Sequence, residues 1–223
     1  AIVVDDFGHN LGPAARRILA LPAPVTLAIL PERPASLRVL NEARRAGKEA
    51  LLHMPMEPGP EASPGPGPLA LLRGMAPDEV RARLERCLDG LPGVVGVNNH
   101  MGSVYTQDAE ALAPVMEVLD QRGLLFLDSL TSPRSVAYEA ALRRGLPAGR
   151  NDLFLDLDTE DPARIEARLR SLVDRARKKG SAVGIGHVTP ATAEALDRVL
   201  PHLDPADVKA VFLSDLLTDR LPG

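Results

Sequence analysis

A repeated unit of sequence constrains the fold of this chain more than any other feature. Each unit consists of an amphipathic helix, a glycine that ends the helix, and a short apolar strand whose last residue is polar. In one unit, Val80, Leu84 and Leu88 recur at helical spacing, Gly90 follows them, and the apolar segment 94–97 comes next. Further apolar segments lie at 2–4, 25–30, 124–127 and 182–185. The pattern predicts strands and helices that alternate along the chain.

This alternation predicts a single α/β domain over residues 1–223 with a mostly parallel sheet. A helix between successive strands makes them parallel, and nearly continuous apolar strands are typical of sheets covered on both faces. We count seven or eight strands, of which 153–155 is the least secure and 210–213 is the last. An eightfold or incomplete (β/α) barrel is the preferred architecture. A doubly wound open sheet is the second choice, because alternation alone does not separate the two.

Charge and hydropathy exclude several classes of protein. The 26 basic and 30 acidic residues give a net charge of −4, which argues against nucleic acid as a partner. No apolar run approaches the roughly 18 residues of a membrane span, and no charged and then apolar leader opens the chain. The first residues already belong to a predicted strand, so the earlier removal of a leader or linker stays open. The oligomeric state stays open as well.

Most of the predicted strands end on a residue with acid, base or metal-binding chemistry. In a parallel α/β fold the carboxyl ends of the strands lie on one face, where barrel enzymes place their active sites. The strand-end residues are Asp5 and Asp6 from strand one, His53 from strand three, His100 from strand four, Asp128 from strand five and His187 from strand seven. Imidazoles and carboxylates that converge form the ligand set of a Zn²⁺-like ion. We therefore predict a divalent metal site built from Asp6, His53 and His100.

Three further residues are secondary candidates for this site. Glu57 follows His53 by four residues, and Pro55 between them rules out a helical pair but lets the carboxylate turn into the site. Asn99 lies next to a predicted ligand. Asp128 is equally well explained as the N-cap of a following helix.

The segment 57–75 interrupts the repeated unit. It contains five prolines within Pro-Gly-Pro and Pro-Gly-Pro-Gly-Pro runs, which exclude regular secondary structure. Two interpretations remain open: a flexible surface insertion, and a loop that shapes a cleft beside the His53 strand.

Four motifs, in order along the chain, resemble those of the divergent polysaccharide deacetylases, and the resemblance spans nearly the whole sequence. The motifs are Ile2-Val-Val-Asp5-Asp6-Phe-Gly8, Leu52-His53-Met-Pro-Met-Glu57, Asn98-Asn99-His100-Met-Gly-Ser103 and Ile185-Gly-His187. This family is a distant branch of the NodB-type carbohydrate esterases, which use a distorted (β/α) barrel and a divalent metal to remove acetyl groups from N-acetylated sugars. The resemblance implies a carbohydrate substrate, a divalent metal that we expect to be zinc, and a location in the periplasm or cell envelope.

The resemblance also implies roles for individual residues. Asp5 is similar to the catalytic base of the esterases, and Asp6 is similar to its metal-binding partner. His53 resembles the first metal histidine, and His187 resembles the late histidine that acts as general acid. In this chemistry the ion lowers the pKa of its bound water and polarises the acetyl carbonyl.

Two departures from the esterase pattern keep two functions open. No second histidine follows His53 by a few residues, so the third metal ligand is His100 or Glu57. The arginine of the esterases' middle motif is replaced by Asn98-Asn99-His100. The first function is a metal-dependent hydrolase that removes acetyl groups from an N-acetylated glycan. The second is a catalytically inactive glycan-binding or envelope-regulatory domain that retains the barrel.

Overall fold

The computed structural model describes residues 1–62 and 65–218, and the eight strands within them form one parallel sheet. The strands are β1 (Ile2–Phe7), β2 (Thr26–Ile29), β3 (Glu49–Met56), β4 (Gly96–Met101), β5 (Leu125–Asp128), β6 (Ala148–Arg150), β7 (Leu153–Phe154) and β8 (Gly184–His187). Their order in the sheet is β6-β5-β4-β3-β2-β1-β8-β7, so the sheet curls round and has β6 and β7 as its edges. The fold is a single distorted (β/α) barrel, which confirms the preferred architecture.

Helices connect the strands and cover the outer face of the sheet. The helices are α1 (Pro13–Leu19), α2 (Ser36–Arg45), α3 (Pro77–Gly90), α4 (Ala109–Arg122), α5 (Ala137–Arg144), α6 (Pro162–Lys179), α7 (Pro190–Val199) and α8 (Leu213–Thr218). Local sequence sets their ends. The Asp108 carboxylate accepts backbone hydrogen bonds at the start of α4, and Gly123 ends this helix in the left-handed conformation. Within the described residues, none of the helices has the length and apolar character needed to cross a membrane.

The strand pattern differs from expectation near the end of the chain. Segment 153–155 does form a strand, although only Leu153 and Phe154 pair with β8. The short strand β6 adds one more, so His187 lies on the eighth strand rather than the seventh. The prediction of a last strand at 210–213 is wrong, because residues 210–212 form neither strand nor helix and helix α8 begins at Leu213. Leu213 and Leu217 are one helical turn apart, so a helix places both against the barrel interior.

The apolar core has one part outside the sheet and one part inside it. The larger part lies between the sheet and the helices. The smaller part fills the lower lumen of the barrel, and its members are Val3, Ala28, Leu51, Leu125, Leu127, Val183, Ile185, Leu213 and Leu217. Helix α8 closes the lumen at the amino ends of the strands. There the N–H of Leu213 donates to Thr26 Oγ1 and the N–H of Ser214 donates to the Glu49 carboxylate.

Candidate functional site

A polar layer lies directly above the apolar part of the lumen. Residues two positions apart on a strand face the same side of the sheet. At this spacing Val3 is followed by Asp5, Leu51 by His53, Leu127 by Ser129 and Ile185 by His187. The alternation that fills the lower lumen with aliphatic side chains therefore gathers polar side chains at the carboxyl ends of the strands.

Asp6 reaches this layer through an irregularity in β1. By alternation alone, the neighbours Asp5 and Asp6 would face opposite sides of the sheet. The register between β1 and β2 shifts between Val4 and Phe7, and Asp6 has a φ of +66°, in the left-handed region. Bulges of this kind re-aim side chains beside active sites. The irregularity explains how two consecutive carboxylates both reach the site.

Three ligand-type atoms converge at the mouth of the lumen: Asp6 Oδ1, His53 Nε2 and His100 Nδ1. His100 Nδ1 lies 3.1 Å from Asp6 Oδ1 and 3.1 Å from His53 Nε2. The third side of this triangle, from His53 Nε2 to Asp6 Oδ1, is 3.4 Å. Asp6 Oδ1 is buried, and among the described residues no group makes a well-formed hydrogen bond to it. The structure thus brings Asp6, His53 and His100 together.

The spacing within this triangle suits a tetrahedral divalent ion. Ligand atoms about 2.0–2.1 Å from a tetrahedral Zn²⁺ lie about 3.3–3.4 Å from one another, close to the distances found here. Three protein ligands are also typical of catalytic zinc, which keeps a fourth position for water or substrate. The side chains of Asp6 and His100 are 33% and 17% exposed, so the triangle lies close to solvent. The residues present therefore fit a divalent metal ion.

Asp5 lies deeper in the lumen, buried among polar partners. Its Oδ1 accepts a hydrogen bond of 2.9 Å from Asn98 Nδ2, and its Oδ2 lies 3.7 Å from His53 Nε2. The Asn98 side-chain oxygen lies 2.9 Å from His53 Nδ1. Burial raises the pKa of Asp5 above its ordinary value, although the neighbouring imidazole of His53 and the Asn98 amide oppose the rise.

The charges at the triangle shift the pKa values of its members in different directions. Burial raises the pKa of Asp6, but contacts with the imidazoles of His100 and His53 outweigh burial, and the pKa lies far below its ordinary value. Burial lowers the pKa of His53, yet the carboxylates of Asp5 and Asp6 lift it above its ordinary value. Burial lowers the pKa of His100. Metal binding needs a neutral imidazole, so a divalent ion at this triangle would compete with a proton for His53.

His187 forms a pair with Asp156 on the other side of Asp5. His187 Nδ1 lies 2.8 Å from Asp156 Oδ1, and the His187 backbone N–H donates to Asp156 Oδ2 at 2.7 Å. The Phe154 ring stacks on the imidazole with 6.3 Å between ring centroids. Burial lowers the pKa of His187, but the Asp156 carboxylate outweighs burial and the pKa rises to about 9. His187 and Asp5 are register partners on adjacent strands, so a protonated imidazole lies next to the buried carboxylate.

The three secondary candidates lie outside the triangle. The Glu57 carboxylate accepts a hydrogen bond of 2.6 Å from the backbone N–H of Arg73. The Asn99 side chain accepts a hydrogen bond of 2.8 Å from the Ser129 N–H and so braces the loop after β5. Asp128 accepts hydrogen bonds from that same loop, and burial raises its pKa. Each of the three holds a loop beside the site in this structure.

Asn98 and Asp156 contact the predicted site residues, although sequence reasoning missed both. The period of two could have found them. Asn98 lies two residues before His100 and shares its face, whereas Asn99 points to the other side. Asp156 lies two residues after Phe154, which packs against the lumen core. Asp156 also follows the predicted strand 153–155 directly, so the strand-end rule applied to the least secure strand would have selected it.

The proline-rich segment leaves β3 and returns to the same strand. Leu71 forms a backbone bridge with Met56 at the end of β3. Near the start of the segment, the Gly59 N–H donates a hydrogen bond of 3.0 Å to Ser103 Oγ in the loop after β4. The base of the segment is therefore attached to the two strands that carry His53 and His100.

The curled parallel sheet, with a histidine–carboxylate triangle at its strand ends and a His–Asp pair beside it, defines a barrel of the polysaccharide deacetylase class. The chain belongs to the divergent polysaccharide deacetylase family, which it matches over residues 2–217.

Individual relatives support this assignment. The chain is 35% identical to the Escherichia coli (strain K12) protein YibQ, in an alignment that covers 98% of this chain and 67% of YibQ. It is similar to the crystal structure of ATU2773 from Agrobacterium tumefaciens C58, with a TM-score of 0.90 and 31% identity over 97% of this chain and 87% of that one. It is similar in fold alone to the crystal structure of BA3943, a CE4 family pseudoenzyme from Bacillus anthracis. There the TM-score is 0.57 and the identity is 15% over 97% of this chain and 64% of that one.

Proposed function

We propose that this chain is a metal-dependent deacetylase that hydrolyses the acetamido group of an N-acetylated glycan in the periplasm or cell envelope. The observation that carries the proposal is the triangle of Asp6, His53 and His100, whose ligand atoms lie 3.1–3.4 Å apart. Membership of the deacetylase family supports the choice of a carbohydrate substrate and of a divalent ion. Zinc is the first choice because imidazole and carboxylate ligands in a set of three suit it.

The residues of the site divide the reaction between them. Asp6, His53 and His100 would hold the ion, which when bound lowers the pKa of water and polarises a carbonyl. Asp5 takes the proton of the water that attacks the acetyl carbonyl carbon, and burial raises its pKa, which makes it a stronger base. His187 donates a proton to the sugar nitrogen as the C–N bond breaks, so acetate and a free amine leave. Asp156 holds His187 Nδ1, which leaves Nε2 for the substrate.

Composition favours a short glycan or a polar groove. Only 3% of the residues are aromatic and none is tryptophan, so few side chains are available to stack on sugar rings. The net charge of −4 gives no general attraction for a polyanionic substrate.

Release of acetate from defined glycans tests the proposal. The zinc-loaded protein is incubated with N-acetylated chitooligosaccharides and with peptidoglycan fragments, and free acetate is measured before and after chelation of the metal. We expect release that stops on chelation and returns when Zn²⁺ is added. Binding of zinc and glycan without release of acetate, with Zn²⁺, Co²⁺ or Mn²⁺, would contradict the deacetylase and favour the inactive glycan-binding domain.

A further inference from the structure

Asn98 contacts both Asp5, the proposed base, and His53, a proposed metal ligand. Its Nδ2 donates to Asp5 Oδ1 at 2.9 Å, and its Oδ1 lies 2.9 Å from His53 Nδ1. A third and longer contact runs from Nδ2 to Ser129 Oγ at 3.2 Å. The residue is fully buried, so water does not compete for these hydrogen bonds.

The chemistry of the two partners fixes the orientation of the Asn98 amide. The Asn98 amide nitrogen faces Asp5, as the proposed base requires, because an ionised carboxylate can only accept hydrogen bonds. The amide oxygen then faces His53, and because this oxygen only accepts, His53 Nδ1 must carry a hydrogen. The lone pair of His53 is left on Nε2, the atom that lies in the triangle. One buried amide thus selects the tautomer in which His53 can bind a metal.

We infer that Asn98 is a positioning residue that orients the proposed metal ligand His53 and the proposed base Asp5 together. The part of the inference that concerns Asp5 rests on the proposed function, whereas the part that concerns His53 is a statement about metal binding alone. Outer hydrogen-bond partners of metal-bound histidines typically contribute about 10–100-fold to metal affinity. A misplacement of about 1 Å in a catalytic group can lower the rate by about 10²-fold. Both effects are measurable in one variant.

The variant is Asn98→Leu, which is similar in size to asparagine and removes both hydrogen bonds. Zn²⁺ affinity is measured by competition with a chromophoric chelator, and acetate release is then measured at a Zn²⁺ concentration that fills the site. We expect zinc affinity to fall about 10–100-fold. We also expect turnover at full zinc occupancy to stay at least about 10-fold below the parent, because saturating metal restores the ligand but leaves Asp5 unanchored. A residue that only stabilises the fold would not produce a deficit that persists at full occupancy.

Ser129→Ala is the matched control for zinc affinity, because it removes only the long third contact of Asn98. Its zinc affinity should stay within about threefold of the parent, since the hydrogen bond to His53 remains. Thermal unfolding and circular dichroism show whether each variant is folded. If Asn98→Leu does not fold, Asn98→Ala replaces it in the same two measurements.

The outcomes separate this inference from the proposed function. A folded Asn98→Leu protein with the zinc affinity of the parent would overturn the role toward His53, and full turnover at full occupancy would overturn the role toward Asp5. A parent protein that binds zinc but releases no acetate would contradict the deacetylase proposal and remove the role toward Asp5 with it. Even if the parent releases no acetate, weaker zinc binding by Asn98→Leu than by the parent would still support the role toward His53.

Discussion

The two ends of the barrel lumen are built from the same strands but differ in packing and in polar pairing. At the lower end, aliphatic side chains pack against Leu213 and Leu217 of α8, and Thr26 and Glu49 satisfy the first N–H groups of that helix. At the upper end, Asp6 Oδ1 is buried without a hydrogen bond among the described residues.

The backbone differs between the two ends as well. Asp6 and Met101 both adopt left-handed φ values, +66° and +55°, at the upper end of their strands. Residues other than glycine in this region cost on the order of 1–3 kcal/mol each. Packing at the lower end thus stabilises the fold. The unpaired buried oxygen and the left-handed residues of the upper end destabilise it, and a ligand-binding site explains why they are retained. Substitutions at the two ends should therefore have separable effects on folding and on chemistry.

The largest expected effect is the loss of activity when a chemical group of the upper end is removed. Asp5→Asn keeps the shape of the side chain and removes the base, while His187→Ala removes the proton donor. Each should lower acetate release by roughly 10²-fold or more, the usual contribution of a positioned acid or base. Both variants should still bind zinc, since neither supplies a ligand to the triangle. An Asp5→Asn protein with the rate of an active parent would refute this assignment of roles.

The second effect concerns the lower end and should appear in stability alone. Leu213 is fully buried in the lumen, so Leu213→Ala should lower the free energy of unfolding by about 2–5 kcal/mol. Leu142→Ala is the control, because the same substitution at a side chain that is 48% exposed should cost no more than about 0.5 kcal/mol. Chemical denaturation measures both. Zinc affinity should not change in either variant, and a loss of affinity in Leu213→Ala would show that the two ends are coupled.

The two ends also differ in how much of their structure could be predicted from the sequence. Helix and strand alternation with helix-ending glycines was enough to predict a parallel α/β sheet, although it did not separate a barrel from a doubly wound sheet. Reading strand ends was enough to select Asp5, Asp6, His53, His100 and His187. The segment 210–213 was misassigned because an apolar run of four residues has no period of its own. Only Leu213 of this segment is helical, and its place in α8 depends on tertiary contacts with the lumen.

Two features of the upper end were beyond the strand-end rule as it was applied. Asn98 requires the exact face of β4 and Asp156 requires the exact end of β7, and both depend on strand bounds that sequence does not fix. The position of the Asp6 side chain depends on the shift in register after Val4, and no local sequence pattern predicts that shift.

A smaller effect is expected in the pH dependence of the upper end. The pKa of His187 is raised to about 9 beside Asp156, so the general acid stays protonated at neutral pH and acetate release should fall as pH rises through about 9. Asp156→Asn removes the charge, and the alkaline limb should move down toward the ordinary pKa of about 6.5. NMR titration of the His187 imidazole measures the same shift without turnover. An unchanged imidazole pKa in Asp156→Asn would exclude the pair as its cause.

The same pair makes stability depend on pH with a defined sign. The folded-state pKa of His187 lies above its unfolded value, so the pair stabilises the fold fully at pH values below about 6.5. This contribution is lost as pH rises through about 9. The difference in unfolding free energy between the parent and His187→Ala should therefore shrink from pH 6 to pH 10.

The smallest effect is expected from the proline-rich segment, whose base is attached beside the His53 and His100 strands. Replacing residues 60–67 by a short glycine-serine link should leave the unfolding midpoint unchanged. If the segment forms a wall of the cleft, KM should change by a few-fold and differ between long and short glycans. Identical KM values for both glycans in the parent and the shortened protein would indicate a surface insertion.

Zinc stoichiometry tests most directly whether Asp6, His53 and His100 together bind one divalent ion. Metal content after dialysis against limiting Zn²⁺ is measured for the parent, for His100→Ala and for Glu57→Ala. We predict one zinc per chain in the parent and in Glu57→Ala, because the Glu57 carboxylate of the parent accepts a hydrogen bond from the Arg73 backbone N–H and lies outside the triangle. We predict almost no zinc in His100→Ala. Full occupancy in His100→Ala together with loss of zinc in Glu57→Ala would contradict this ligand set and the metal-dependent reaction proposed for it.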